Sequence, residues 1–355
     1  MPILVPIKIY NPIGEKVQFI AQMTHQSKII DEIEQSLSPD GRIDTSLSVV
    51  FLKGQRAYKI KREMKNNFLD YSTLQKRKAL CEREFHINRK NSPELYRTVN
   101  FAYRDEAGAI KIWGGGACPL STPEEYLLEM NRFNEDLLLS KLAEKGLLTE
   151  ALCCSAAGKI ADMHNTAILV APGDYAKKFL KVVNIINEQF RDSARGIVPE
   201  EALRMVPRKL LAAFERCRKV LAARSAAGFI RECHGDLHLG NICFFNAAPC
   251  VFDAVEFNTE FTHIDTLYDL SFLIMDLHHY GLFQMADKVS GSYLDATQTD
   301  KKDYLAVMPL YLGLRSIIRC SISAAGSREN TSEDSAARLK QDAVNYLQET
   351  LGFLS

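Results

Sequence analysis

Residues 234–257 run His234-Gly235-Asp236-Leu237-His238-Leu239-Gly240-Asn241-Ile242 and then, after a short β-type interval, Val251-Phe252-Asp253-Ala254-Val255-Glu256-Phe257. Imidazole, carboxylate and amide side chains crowd into the first part. A further aspartate follows an apolar pair on what reads as a strand end. Three chemistries compete for such a pattern. His234-x-Asp236-x-His238 could be a zinc or iron ligand set, because histidine and carboxylate donors at alternate positions suit those metals. No compact set of further histidines accompanies it, and Asn241 and Asp253 would then be coincidence. Asp236 and Asp253 could be the carboxylate pair of a glycoside hydrolase, but no aromatic-rich sugar platform lies near either. Gly235 and Gly240 satisfy the glycine spacing of a P-loop, yet Asn241 stands where lysine must be.

Working outward, the character of the chain changes partway along. Residues 47–62, LSVVFLKGQRAYKIKR, read as strand, tight turn at Lys53-Gly54-Gln55 and strand. Residues 72–89 are rich in helix formers, with Ser72 as the expected N-cap. TVNFAY (98–103) and AIKIW (109–113) form a second hairpin, broken by Gly114-Gly115-Gly116. After Pro123 the pattern turns mainly helical. EEYLLEMNRF (124–133) leads into DLLLSKLAEKG, then EALCCSAAGKIADMHNTA, then a long amphipathic stretch over 174–225. Only the 242–257 interval interrupts the helices. This predicts an α+β protein of two lobes, a small antiparallel β-sheet lobe over 1–124 and a larger, mainly helical lobe over 125–355, with a cleft near 120–130.

Length agrees, since 355 residues correspond to roughly two domains. Lys plus Arg and Asp plus Glu each number 44, so the formal charge is zero. A broad basic surface for nucleic acid is therefore not expected, because neutralising phosphates needs a cationic excess. No uninterrupted apolar run approaches the roughly 18 residues of a membrane span, and MPILVPIKIY at the start does not read as a secretory signal. Nine cysteines, irregularly spaced and without C-x-x-C, read as free thiols in a reducing cytoplasm, with Cys153 and Cys154 in the core. No repeat of 20 to 50 residues occurs, which removes solenoids and propellers.

The spacing His234-x-Asp236-x-x-x-x-Asn241 is that of a protein-kinase catalytic loop. With the Gly235 variant, the segment resembles the aminoglycoside phosphotransferase family and its choline- and fructosamine-kinase-like relatives within the protein-kinase-like superfamily. VFLKGQRAYKIKR (50–62), NFLDYSTLQKRKALCEREFHINRK (67–90) and VFDAVEFNTEFTHIDTLYDLSFLIMDL (251–277) are similar to a bacterial branch of that family, some members of which carry a second, P-loop kinase domain. The resemblance spans about 45 to 320, with its motifs in order.

What the resemblance implies is a bilobal protein-kinase-like fold and an ATP- and Mg²⁺-dependent phosphotransferase with a small-molecule hydroxyl acceptor. Such a reaction asks the protein for little covalent chemistry. It needs a carboxylate to receive the acceptor proton and oxygen ligands for the metal. Asp236 would be catalytic, with His234 beside it in the catalytic loop, more a brace than an acid or base; Asn241 and Asp253 would bind magnesium. Lys59 or Lys61 would hold the nucleotide phosphates, and both lie on one face of their strand because side chains alternate. Glu84 would position that lysine. Thr45 and Ser46 stand in a hydroxyl-bearing loop where kinases place glycines, and 125–130, including Glu125 and Leu127, would be the hinge whose backbone meets adenine. Asp269 looks like the buried brace of the catalytic loop. Glu256 lies three residues past Asp253 where many relatives place an acid at two, so the resemblance assigns it no role. His164 reads as core packing. The competing function is an inactive kinase-like binding module, disfavoured because Lys, Glu, Asp, Asn and Asp are all present.

Overall fold

The computed structural model describes residues 25–65, 69–114, 122–330 and 332–355. The chain divides into two compact units. One comprises Met1–Leu142 with Gly240–Thr259, the other Ala143–Leu239 with Glu260–Ser355.

The first unit opens with α1 (His25–Leu37), followed by β1 (Gly41–Asp44), β2 (Ser48–Lys53), β3 (Arg56–Lys61), α2 (Leu74–Asn91), β4 (Tyr96–Arg104), β5 (Ile110–Gly114) and β6 (Glu125–Asn131). α3 (Leu139–Glu144) crosses its boundary, which falls after Leu142. The strands form one antiparallel sheet in the order β1-β2-β3-β6-β4-β5. Strand alternation sends Val49, Phe51, Ile60, Ala102 and Leu127 to one face, where Ile29, Ile30 and Ile33 of α1 cover them. Leu128 and Tyr96 point the other way, toward Cys81 of α2. Lys59 and Lys61 flank Ile60 and share that second face.

Both sequence-predicted hairpins form. The reading of 124–133 as leading a helical stretch is corrected: β6 is an inner strand, paired to β3 on one side and β4 on the other. Its Glu125, Leu127 and Leu128 are buried, and packing on both faces overrides the helical propensity of Glu, Leu and Met. The boundary expected at 124/125 moves for the same reason, because the sheet is incomplete without β6. The N-cap of α2 is Thr73, whose hydroxyl accepts from the Lys76 amide, rather than Ser72. Gly115 and Gly116 lie outside the described residues.

The second unit contains α4 (Glu150–Thr166), α5 (Tyr175–Ala194), α6 (Glu200–Ala226), β7 (Ile230–Glu232) and, after the excursion 240–259, β10 (His263–Asp265), α7 (Thr266–His279), α8 (Phe283–Thr297), α9 (Lys301–Glu329) and α10 (Glu333–Phe353). The excursion carries β8 (Ile242–Phe245) and β9 (Ala248–Val251), a hairpin assigned to the first unit. The amphipathic stretch over 174–225 is two helices, α5 and α6, separated at Gly196, which adopts positive φ.

α7 is buried from Thr266 to Leu277 and packs against α9 and α8, while α5 and α10 pack on α9. α9 is long and apolar enough by composition to cross a membrane, but 67% of its most apolar window is buried inside the protein. That is the pattern of a core helix. The described cysteines are free, and all but Cys154 are buried. Burial pushes the Cys81 thiol up to about 12 and that of Cys153 to about 11.

Candidate active site

Within the first unit, β3, α2 and the segment after β9 bring charged side chains together, with Lys59, Lys61, Glu84 and Glu256 buried and Asp253 partly so. Lys59 Nζ donates to Glu84 Oε1 at 2.7 Å and to Asp253 Oδ1 at 2.5 Å. Lys61 Nζ donates to the other oxygen of Glu84 and, at 2.5 Å, to Glu256 Oε1, which also accepts from the Tyr71 hydroxyl. Glu84 thus bridges both lysines. Burial alone would lower the lysine pKa values, but the surrounding carboxylates, Asp253 foremost for Lys59 and Glu256 for Lys61, raise both above the ordinary value. Both remain cations. Two ammonium groups face three carboxylates here, an excess of one negative charge.

The β8–β9 hairpin delivers Asp253. Asn246 and Ala247, both at positive φ, make the two-residue turn that matches strand twist. Its register pairs Ile242 with Val251, and the Phe252 amide donates to the Asn241 carbonyl at 3.0 Å. Asn241 therefore sits across the open end of the hairpin from Phe252, one residue short of Asp253. Asp253 itself has φ 62°, unusual for a residue with a Cβ. Neighbouring contacts fix it there. Its amide donates to the Tyr96 hydroxyl at 3.0 Å, and the next amide, of Ala254, donates to Asn88 Oδ1 at 3.0 Å. A backbone held in a sparsely populated conformation by several partners is common at functional sites.

The second unit holds the catalytic-loop candidates. Asp269, at the start of α7, accepts from the amides of His234 at 2.9 Å and Gly235 at 2.8 Å. His164 Nε2 lies 3.1 Å from the same carboxylate, and its Nδ1 lies 2.6 Å from the Tyr293 hydroxyl. Burial would raise the Asp269 pKa, but the hydrogen bond from His164 and nearby positive charge leave it below the ordinary carboxylate value. Asp269 thus braces the loop. His234 Nδ1 accepts the Asp236 amide at 3.2 Å, so that buried ring braces the loop as well. Gly235 takes φ 85°, which only glycine adopts without penalty. The Asp236 carboxylate has His238 Nε2 at 3.6 Å.

The residues that the resemblance assigns to the hinge fall on β6. The Glu125 side chain is buried and engaged by Arg77 at 2.9 Å and Gln26 at 2.7 Å. Leu127 is core. Glu125 is the first residue of β6 and Leu127 lies inside it; both are paired with β4, opposite Ala102 and Asn100. Thr45 and Ser46 form the β1–β2 turn. The Thr45 hydroxyl is used within that turn, donating to the Ser48 carbonyl and accepting the Ser48 amide, while Ser46 is exposed.

Sequence reasoning missed the Lys61–Glu256–Tyr71 contacts, the link from His164 to Asp269, and Arg315. The Arg315 guanidinium stacks 3.9 Å over Tyr268 and donates to the Tyr268 and Gly235 carbonyls. Periodicity marks such residues as buried but gives no sign of their partners.

The sequence resemblance implies one nucleotide lysine, and the two can be separated experimentally. On that expectation Lys59→Met weakens nucleotide binding at least tenfold, whereas Lys61→Met acts mainly by lowering the unfolding midpoint. Calorimetric titration with nucleotide, set beside thermal melts, checks this; the reverse assignment follows if Lys61→Met alone abolishes nucleotide binding.

No protein-family model matches the chain. Uncharacterized proteins from Mycobacterium tuberculosis (strain H37Rv) and Mycobacterium bovis are each 25% identical over 308 residues, 86% of this chain and 57% of theirs. The chain thus spans little more than half the length of the curated relatives it matches. Among solved structures, an amicoumacin kinase in complex with AMP-PNP, Ca²⁺ and its ligand superposes with a TM-score of 0.52 at 13% identity, covering 90% of this chain and 93% of that one. Choline kinase from Cryptosporidium parvum gives 0.52 at 12% identity, with 92% and 96% covered. The fold is protein-kinase-like. In a kinase-like fold the small antiparallel sheet and the larger helical part correspond to the two kinds of unit found here, as the sequence resemblance implied.

Proposed function

We propose that this protein is an ATP- and Mg²⁺-dependent phosphotransferase acting on a hydroxyl group of a small molecule, related to the aminoglycoside phosphotransferases. The observation that carries this reading is the Glu84–Lys59–Asp253 chain, which runs from a buried carboxylate to a partly exposed one. A lysine held by a helix carboxylate and in contact with an aspartate at a strand end is what charge management on a nucleoside triphosphate requires. Folds of this kind host more than one chemistry, so the side chains bear the argument.

In this reading Asp236 accepts the proton of the acceptor hydroxyl as its oxygen bonds to the γ-phosphorus and the bond to the ADP oxygen breaks. Lys59, positioned by Glu84, balances charge on the phosphates. Asp253 and Asn241 offer oxygen donors of the type Mg²⁺ prefers, and the excess negative charge around Lys59 and Lys61 favours a cation. Bound magnesium would supply charge neutralisation on the phosphate oxygens. Lys61 stays with Glu256 and Tyr71 and keeps Glu84 paired when Lys59 turns to the nucleotide. A cytoplasmic location suits the free thiols of the described residues.

Titration of the protein with ATP, with and without Mg²⁺, tests the reading. Asp253→Ala is expected to weaken Mg²⁺-dependent ATP binding by about tenfold or more, a loss of roughly 1.4 kcal/mol. Unchanged affinity for both nucleotide and metal would remove Asp253 from metal binding. Wild-type protein that binds ATP but never consumes it over a broad metabolite panel would instead be a kinase-like binding module.

A further inference from the structure

Resting on the phosphotransferase reading, we infer that the acceptor carries an anionic group, a carboxylate or a phosphate, and that Arg319 receives it. The inference starts from α9. Arg315 donates to the carbonyl of Gly235, immediately before Asp236, and lies 4.7 Å over the ring of Phe272 on α7. Residues four apart on a helix are surface neighbours. One turn further along these two packed helices come Arg319 on α9 and Asp276 on α7. Asp276 stays close to the catalytic loop, because its Oδ2 accepts the Leu239 amide at 3.0 Å and lies 4.0 Å from His238 Nδ1. Arg319 thus lies one helical turn from Arg315, which holds the Gly235 carbonyl.

Arg319 is incompletely used. Its Nε donates to the Tyr346 hydroxyl at 3.2 Å, and its guanidinium lies 5.6 Å from the Tyr346 ring centroid. His279 stacks on the same ring at 4.0 Å, which fixes Tyr346, and pairs with Glu349 at 2.8 Å. Among the described residues no carboxylate comes within 4 Å of Arg319, and its two terminal nitrogens have no hydrogen-bond partner. Asp276 and Asp236 are near enough to help hold its proton but do not pair with it. Arg319 is half-buried and its terminal nitrogens are not among the buried unpartnered atoms, so the fork reaches solvent, where it matches a carboxylate or phosphate in bidentate geometry. Asp276 supplies the second unmet demand. Its side chain is buried, and Oδ1 has no hydrogen-bond partner. An acceptor with an anion for Arg319, a hydroxyl for Asp236 and a second O–H or N–H for Asp276 satisfies all three.

The test uses hydroxyl-bearing compounds in matched charge classes. Glycerate, glycerol 3-phosphate, glycerol and 3-amino-1,2-propanediol present one diol with four different third groups, and pooled acidic, neutral and amine metabolites extend the set. ATP consumption and calorimetric binding are read for wild type, Arg319→Gln and Arg319→Lys, with ATP–Mg²⁺ affinity measured separately. The expected result is at least a tenfold preference in kcat/KM for an anionic class. In Arg319→Gln the acceptor KM should rise about 100-fold while ATP affinity and Tm hold; in Arg319→Lys the rise should be smaller. Carboxylate and phosphate arms tell the two anions apart. Preference for a neutral or amine acceptor, silence of the acidic pool, or an unaltered ranking in Arg319→Gln overturns the inference and leaves the phosphotransferase reading standing. That reading falls separately, if wild type fails to bind ATP.

Discussion

Asp236→Asn is expected to lower kcat by roughly three orders of magnitude, within the range that a positioned general base contributes. Asparagine matches the shape and removes the proton acceptor. The loop itself should survive, because backbone groups hold it: the Asp236 amide donates to His234 Nδ1, and its carbonyl accepts the His238 amide at 3.1 Å. Asp269 still anchors the two preceding amides. ATP affinity and Tm should therefore stay close to wild type, so the loss falls on kcat rather than KM. Steady-state rates of ADP release decide the matter. A variant retaining more than a tenth of wild-type kcat would take proton acceptance away from Asp236.

The second large effect concerns stability. Glu84→Gln leaves Lys59 and Lys61 buried without the carboxylate they share. Removing one member of a buried ion pair costs about 3–5 kcal/mol, because the desolvated partner charge remains. Urea unfolding should show this as a lower midpoint at constant slope, together with weaker nucleotide binding; a change below about 1 kcal/mol would mean the lysines find other counter-charges. The pH dependence has a definite sign. Both lysines have folded pKa values above the ordinary 10.5, so the stability they contribute is fully present below that value. It is lost only as pH climbs through the raised folded values.

The sequence was most legible where chemistry needs fixed residue types at fixed spacing. Asp253, Glu84 and the two lysines could be named because motif order carried them, and the structure brings all four together. Choosing between Lys59 and Lys61 required three dimensions. Strand alternation puts both on one face, and only the side-chain partners separate them, Asp253 for one and Glu256 for the other. β6 was misread for a physical reason. A strand buried on both faces loses the polar alternation that identifies strands, and Glu125 looks like a helix residue until Arg77 is seen to neutralise it and Gln26 to hydrogen-bond it. His164 shows the opposite limit. It was placed correctly in the core, yet nothing in IADMHNTA foretells a partner about a hundred positions away.

The excursion of residues 240–259 has a consequence for biosynthesis. During translation the sheet, α1 and α2 emerge early, but Cys243 and Cys250, which complete the apolar cluster of Cys81, Tyr96 and Leu128, emerge only after most of α4 to α6. At about 5–20 residues per second the nascent chain waits on the order of ten seconds with that surface uncovered. Ribosomal synthesis thus completes the sheet-bearing unit only after much of the helical unit has been made, and a fragment ending near 142 would leave the apolar surface of Cys81, Tyr96 and Leu128 uncovered.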